Sequence, residues 1–168
     1  MTYLAIPLEP DHDRSEFDCG RESLNLYLRR QAGQDMKRRL AVVFVLPDAA
    51  GQVIGYYSLS SDSLPYEEVP AAVQKTMPRS YANLPTILLG RLAVDRRRHG
   101  EGLGELLLLD ALKRSYDLSL TDVGAAAIVV DPLDKDAVAF YAQYGFVMLP
   151  DRGRMFIPMK TVKSLYTR

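Results

Sequence analysis

The chain is expected to fold as an α/β (α+β) domain built on a mixed sheet, and three observations predict it. Two apolar runs rich in β-formers, Leu40-Ala41-Val42-Val43-Phe44-Val45-Leu46 and Val53-Ile54-Gly55-Tyr56-Tyr57-Ser58-Leu59-Ser60, flank the turn Pro47-Asp48-Ala49-Ala50-Gly51 and read as a hairpin with a loop of about five residues. Two later apolar runs, Thr86 to Val94 and Ala125 to Val130, alternate with segments of helical spacing. A meander followed by strand–helix alternation is the order of a mixed sheet.

Taken in order, Leu4 to Leu8 is a short strand candidate. Leu24, Tyr27, Leu28 and Gln31 follow helical spacing, which predicts an amphipathic helix from about Arg21 to Arg38. The hairpin comes next. Prolines at 65, 70, 78 and 85 predict an irregular excursion over 62–85, with a short helix around Ala71–Lys75. Thr86 to Val94 reads as the central strand. A helix is expected from about Gly102 to Asp117, apolar at Leu103, Leu106, Leu107 and Leu109. After the strand ending at Val130, Asp134 to Tyr144 reads as a helix stopped by Gly145. Phe146–Leu149 and Met155–Met159 are the last strands, with a terminal helix after Thr161.

A chain of 168 residues suits one domain, 1–168, with a sizeable core. Hydrophobic content of 48% and charged content of 25% are those of a folded globular protein. Lys+Arg and Asp+Glu balance at 21 each, so the average charge argues against a generic nucleic-acid binder. Local basic clusters remain at Lys37-Arg38-Arg39 and Arg96-Arg97-Arg98-His99. The single Cys19, expected as a small buried hydrophobe, leaves no intrachain disulfide and no paired zinc ligands. No metal is expected. The N-terminal stretch from Met1 to Pro7 lacks the pattern of a signal peptide, and no apolar run reaches the ~18 residues of a membrane span. The expected location is the cytoplasm.

The segment from Val94 to Gly104 joins the central strand to the following helix. N–H groups at a helix start have no intrahelical partner and lie at the positive end of the helix dipole, so an anion is stabilised there. Glycines remove the Cβ atoms that would hold a phosphate away. A P-loop requires Gly-Lys-Ser/Thr, and Gly104 is followed by Glu105-Leu106, which excludes it. A dinucleotide-binding turn requires glycines at its first, third and sixth positions; here they stand at 100, 102 and 104, with Glu at 105. Arg97-Arg98-His99-Gly100-Glu101-Gly102 matches the acetyl-CoA loop Arg/Gln-x-x-Gly-x-Gly/Ala. A glycine-rich turn with solvated arginines is the plain alternative.

A second block makes the resemblance specific. Asp134-Lys135-Asp136-Ala137-Val138-Ala139-Phe140-Tyr141-Ala142-Gln143-Tyr144-Gly145-Phe146 resembles the Asn-x-x-Ala-x-x-x-Tyr-x-x-x-Gly-Phe segment of the GCN5-related N-acetyltransferase (GNAT) superfamily. Within it the chain resembles the acetyltransferase toxins of bacterial toxin–antitoxin pairs. Phe17-Asp18-Cys19-Gly20, Leu24-Asn25 with Leu28, Gly55 to Ser60, and Leu89-Gly90-Arg91-Leu92-Ala93-Val94-Asp95 carry that likeness. The resemblance implies a single GNAT-like domain whose central sheet is mostly antiparallel, flanked by helices, with a V-shaped splay between central strands. It implies acetyl-CoA as co-substrate, acetylation of the free amino group of aminoacyl-tRNA, and neutralisation by a ribbon-helix-helix antitoxin; a homodimer is a further expectation. Alternatives are a small-molecule or protein N-acetyltransferase of the same fold, and a non-catalytic acyl-CoA-binding module. The Asn position of the second block is Asp134 here.

By this resemblance the main chain of Leu92, Ala93 and Val94, the loop from Arg97, Arg98, His99, Gly100, Glu101 and Gly102 to Leu103 and Gly104, and Asp134 bind the cofactor. Tyr141 is the acid that meets the leaving thiolate: a phenol with pKa near ~10 is protonated at neutral pH, while a thiol has pKa near ~8.5. A core aromatic at helical spacing is its plain alternative. Other superfamily members carry a Glu base in the central strand, where this chain has Leu88, Leu89, Gly90 and Arg91. An α-amino group, with pKa near ~7.7–8.0, has less need of a base than a lysine near ~10.4. Arg91 reads either as a salt-bridged structural residue or as an RNA-phosphate contact. Lys37 and Arg38 are further substrate-binding candidates, or the solvated end of a helix.

Overall fold

The computed structural model describes residues 3–150 and 153–167. Met1 and Thr2, which open the stretch compared above with a signal peptide, lie outside the described residues. Seven strands form a sheet of order β1-β2-β3-β4-β5-β7-β6. They are β1 Ile6–Pro7, β2 Val42–Pro47, β3 Val53–Pro65, β4 Asn83–Val94, β5 Ala127–Val130, β6 Val147–Met148 and β7 Met155–Pro158. The helices are α1 Glu22–Leu26, α2 Ala32–Lys37, α3 Ala71–Gln74, α4 Leu103–Thr121, α5 Lys135–Ala142 and α6 Met159–Tyr166. Among the described residues, no helix is long and apolar enough to cross a membrane.

The chain divides into two compact units, Met1–Ser60 with Leu89–Arg114 and Ser61–Leu88 with Ser115–Arg168. In the first, the expected hairpin is present: β2 and β3 pair antiparallel with Val43 opposite Ser58 and Val45 opposite Tyr56. Its loop closes through Asp48 N–H to Gln52 O at 2.8 Å, with Gly51 at φ +83° supplying the left-handed turn. Phe17, Tyr27, Leu28, Val43, Val45, Val53, Tyr56 and Ala93 form one core cluster. Asp110 ties the N-terminal strand to α4, accepting from Leu4 N (2.6 Å), Ala5 N (3.2 Å) and the Tyr57 hydroxyl (2.7 Å).

The helix expected over 21–38 is interrupted. A π turn, Tyr27–Gln31, separates α1 from α2. One extra residue per turn moves the inward position along the chain by one. The sequence spacing places Gln31 on the apolar face; in the structure Gln31 is exposed and Ala32 is fully buried.

In the second unit, Leu64, Val69, Leu84, Ala127, Val129, Leu149 and Phe156 pack together. The continuous apolar run of β5 is buried at all four positions and pairs antiparallel with β7, Val129 opposite Phe156. The excursion expected over 62–85 is shorter than its prolines suggest. β3 runs on to Pro65 and β4 begins at Asn83, bracketing a loop closed by Tyr66 N–H to Ala82 O at 2.9 Å. Proline lacks an N–H, but its carbonyl still serves a sheet: Pro85 O accepts from Ala126 N at 2.9 Å. Arg154 links Asp62 (2.8 Å) and Asp131 (2.7 Å).

Candidate functional site

β4 ends at Val94, and Asp95 turns the chain into a short 3-10 helix, Arg96–Arg98. Gly100 and Gly102 then adopt φ +83° and +78°, a region that side chains rarely tolerate. A Cβ built at Gly100, Gly102 or Gly104 would meet no atom within 4 Å. The glycines therefore leave open space beside the main chain. The first helical bond onto this turn runs from Leu106 N–H to Gly102 O at 3.1 Å. Leu103, Gly104 and Glu105 precede it, so their N–H groups have no carbonyl one turn back to bond. With the 19 residues of α4 behind them, these main-chain N–H groups lie at the positive end of the helix dipole and are suited to an anion.

The side chains of the loop are committed elsewhere. Asp95 is fully buried and binds Arg97 three times: its Oδ1 accepts from the main-chain N–H (2.9 Å) and Nε (3.0 Å), and its Oδ2 from Nη2 (2.9 Å). Burial pushes the Asp95 carboxyl upward, but the bonds from Arg97 and from Asp18 N–H outweigh it and hold the pKa below its ordinary value. Arg98 makes a two-point pair with Glu101, at 2.8 and 3.0 Å. Arg96 reaches Asp18 at 3.1 Å. His99 Nε2 lies 2.9 Å from Val94 O, the last carbonyl of β4.

Residues 16–20 clip onto this loop. Asp18 N–H donates to Asp95 Oδ2 (3.2 Å), Arg96 N–H donates to Asp18 O (2.9 Å), and Arg97 Nη2 to Glu16 O (3.5 Å). Asp18 Oδ1 also accepts from Gly20 N and Asn25 Nδ2, each at 2.9 Å. Cys19, expected to be buried, is half-buried against the core and donates its N–H to Asn25 Oδ1 at 2.8 Å. Asp95 and Asp18 stand in the segments that carry the family likeness, but the sequence assigns neither a role at the site. The available signal was local: an Asp just before a run of arginines can cap the turn that follows.

Arg91 is partly exposed on β4, and its guanidinium carbon lies 3.5 Å from the centroid of the Tyr27 ring. Among the described residues Arg91 makes no salt bridge; the contact the chain gives it is this cation–π one. Lys37 and Arg38 are exposed at the end of α2, where positive charge complements the helix dipole.

In the other unit, Asp134 caps α5, its Oδ1 accepting from Ala137 N at 2.9 Å. Tyr141 is buried on α5 between Phe140 and Phe146, with ring centroids 5.4 and 5.2 Å away. Its hydroxyl makes no hydrogen bond among the described residues. Burial alone pushes its pKa up to about 12, so the phenol is a donor at any working pH.

Gly104 offers the cleanest test of the loop. Gly102→Val would combine a blocking side chain with backbone strain of about 1–3 kcal/mol, because of its positive φ. Gly104 carries no such constraint, and the space around it is open. Gly104→Val is expected to keep the melting temperature near wild type and weaken acetyl-CoA binding about tenfold or more, roughly 1.4 kcal/mol. Equal affinities by calorimetry would remove the loop from the binding site.

The model of the acetyltransferase (GNAT) family matches residues 9–146. The chain is 36% identical over 154 residues to a tRNA-acetylating toxin of Mycobacterium tuberculosis, covering 91% of this chain and 90% of that protein. Among solved structures it is similar to AtaT complexed with acetyl-methionyl-tRNAfMet, with a TM-score of 0.88, 32% identity and 99% of each chain covered. It is also similar to a mutant AtaT toxin bound to the C-terminus of the antitoxin AtaR and acetyl-CoA, with a TM-score of 0.82, 29% identity and 98% of each chain covered.

Proposed function

The chain belongs to the acetyltransferase (GNAT) family, and from that premise we propose that it acetylates the free amino group of aminoacyl-tRNA with acetyl-CoA and so blocks translation, as a toxin restrained by an antitoxin. One observation carries the reading: the likeness over the full length of both chains to AtaT in complex with acetyl-methionyl-tRNAfMet. The relative that is a tRNA-acetylating toxin supports it. In this reading one domain, residues 1–168, does the work in the cytoplasm. The antitoxin is of the ribbon-helix-helix type, and the enzyme acts as a homodimer.

The loop Arg97–Gly104 and the start of α4 receive the pyrophosphate of acetyl-CoA on main-chain N–H groups. Arg97 and Arg98, being paired, shape the loop rather than supply free charge. The main chain of Leu92, Ala93 and Val94 holds the pantetheine arm and polarises the thioester carbonyl. The acceptor nitrogen attacks the carbonyl carbon; the C–N bond forms, the C–S bond breaks, and the oxyanion collapses. The nitrogen gives up one proton and the CoA sulfur gains one. Tyr141 donates a hydrogen bond to that sulfur. Asp134 acts through the helix, fixing the first turn of α5 and with it the bearing of Tyr141.

No carboxylate base stands in β4 over Leu88–Arg91. An α-amino acceptor needs none, because its pKa near ~7.7–8.0 leaves a substantial neutral fraction at cellular pH. Cell-free translation tests the proposal. Inhibition should require acetyl-CoA, and label from acetyl-CoA should appear on the aminoacyl group of charged tRNA. Undiminished translation at stoichiometric enzyme would move the acceptor to the small-molecule class, which the zero net charge favours.

A further inference from the structure

Arg91 and Ala93 are two positions apart on β4, so their side chains leave the strand on one face. Ala93 packs into the cluster that holds Tyr27, and the Arg91 guanidinium lies over the Tyr27 ring. Tyr27 is itself fixed. Its hydroxyl donates to Asp35 Oδ2 at 2.7 Å, and its ring stacks on Tyr56 at 6.4 Å and 16°. The Tyr56 hydroxyl donates to Leu24 O at 2.8 Å. Tyr27 also opens the π turn, a local geometry that often marks functional positions.

A guanidinium resting on an aromatic face keeps its N–H edge available. Among the described residues no hydrogen bond or ion pair occupies that edge in Arg91. Arg96, Arg97 and Arg98, farther along the same strand and loop, are all held by carboxylates. Arg91 thus combines a preset orientation, partial exposure and an uncommitted charge.

We propose that Arg91, oriented by Tyr27, binds a backbone phosphate of the acceptor RNA beside its charged 3′ end. This rests on aminoacyl-tRNA being the acceptor. Arg91 is adjacent to Leu92, where the thioester is held, and four residues before Asp95, about 13 Å of strand at ~3.3 Å per residue. Two anions are then met by two devices on one strand: the coenzyme's by main-chain N–H groups beyond Asp95, the RNA's by a guanidinium before Leu92.

The test measures tRNA binding by fluorescence anisotropy over a range of KCl, for wild type, Arg91→Gln and Arg91→Lys. Loss of one phosphate contact should flatten the log–log salt slope by about 0.7–0.9 in Arg91→Gln, while Arg91→Lys keeps the wild-type slope. The KM for total charged tRNA should rise roughly tenfold in Arg91→Gln, as expected for one charge-assisted contact, with kcat changed much less. Single methylphosphonate replacements in the last three nucleotides read the same contact on the wild type. One position should weaken binding to wild type and add nothing to Arg91→Gln. An unchanged slope in Arg91→Gln, a flattened one in Arg91→Lys, or no sensitive phosphate would overturn the assignment. Wild-type enzyme that binds tRNA but never acetylates it would instead overturn the proposed reaction.

Discussion

Replacing Tyr141 by phenylalanine is expected to preserve acetyl-CoA binding and slow acetyl transfer by about 10²–10⁴-fold, the usual contribution of one positioned proton donor. The fold should hardly notice. The ring keeps its neighbours Phe140 and Phe146, and the hydroxyl that is removed bonds to nothing among the described residues. The pKa of about 12 sharpens the expected role. Such a phenol is a weaker acid than a thiol near ~8.5, so in the proposed role it would stabilise the departing sulfur by donating a hydrogen bond rather than by surrendering its proton beforehand. The wild-type rate should therefore climb with pH as the acceptor amine loses its proton, near ~8, and should not decline below about pH 11. Single-turnover measurements decide the matter: wild-type rates for Tyr141→Phe would reduce Tyr141 to a packing residue.

Asp95→Asn should be the most damaging single-atom change in the loop. A buried carboxylate that accepts four bonds becomes an amide that presents donors to donors. The expected loss of stability is about 2–4 kcal/mol, the scale of bonds to charged groups and of buried polar atoms left unpaired. Acetyl-CoA affinity should fall with it, because the clip between residues 16–20 and the loop loses its centre. The pH dependence has a definite sign. The folded pKa of Asp95 is depressed, so its contribution is complete above the unfolded value near ~3.9 and is lost as pH drops through the lower folded value. Denaturation midpoints of wild type and variant should converge only in that acid range. A variant with wild-type stability and affinity at pH 7 would show that the loop holds its shape without Asp95.

The features legible in the sequence are those written in neighbouring residues. The hairpin is announced by two β-forming runs around a Pro/Asp/Gly turn, and the loop by its glycines after an apolar strand. The stop of α5 is marked by Gly145, at φ +104°. Elements set by distant partners were not legible. The Asp95–Asp18 bond spans 77 positions, and neither residue hints at the other. The π turn leaves the composition of its helix ordinary; only the burial of Ala32 in place of Gln31 reveals it. Prolines at 65 and 85 suggested breaks, yet both lie in strands, because a sheet can use a proline carbonyl where its missing N–H is not called on.

The loop arginines bear on how acetyl-CoA reaches the enzyme. Arg96, Arg97 and Arg98 face Asp18, Asp95 and Glu101, so three positive charges meet three negative ones. Attraction over a distance depends on uncompensated charge. A balanced cluster creates little field beyond the Debye length of about 8 Å at physiological ionic strength. Main-chain N–H groups act only at contact. The coenzyme should therefore gain little electrostatic steering from this cluster, and its association rate constant should change little with added salt.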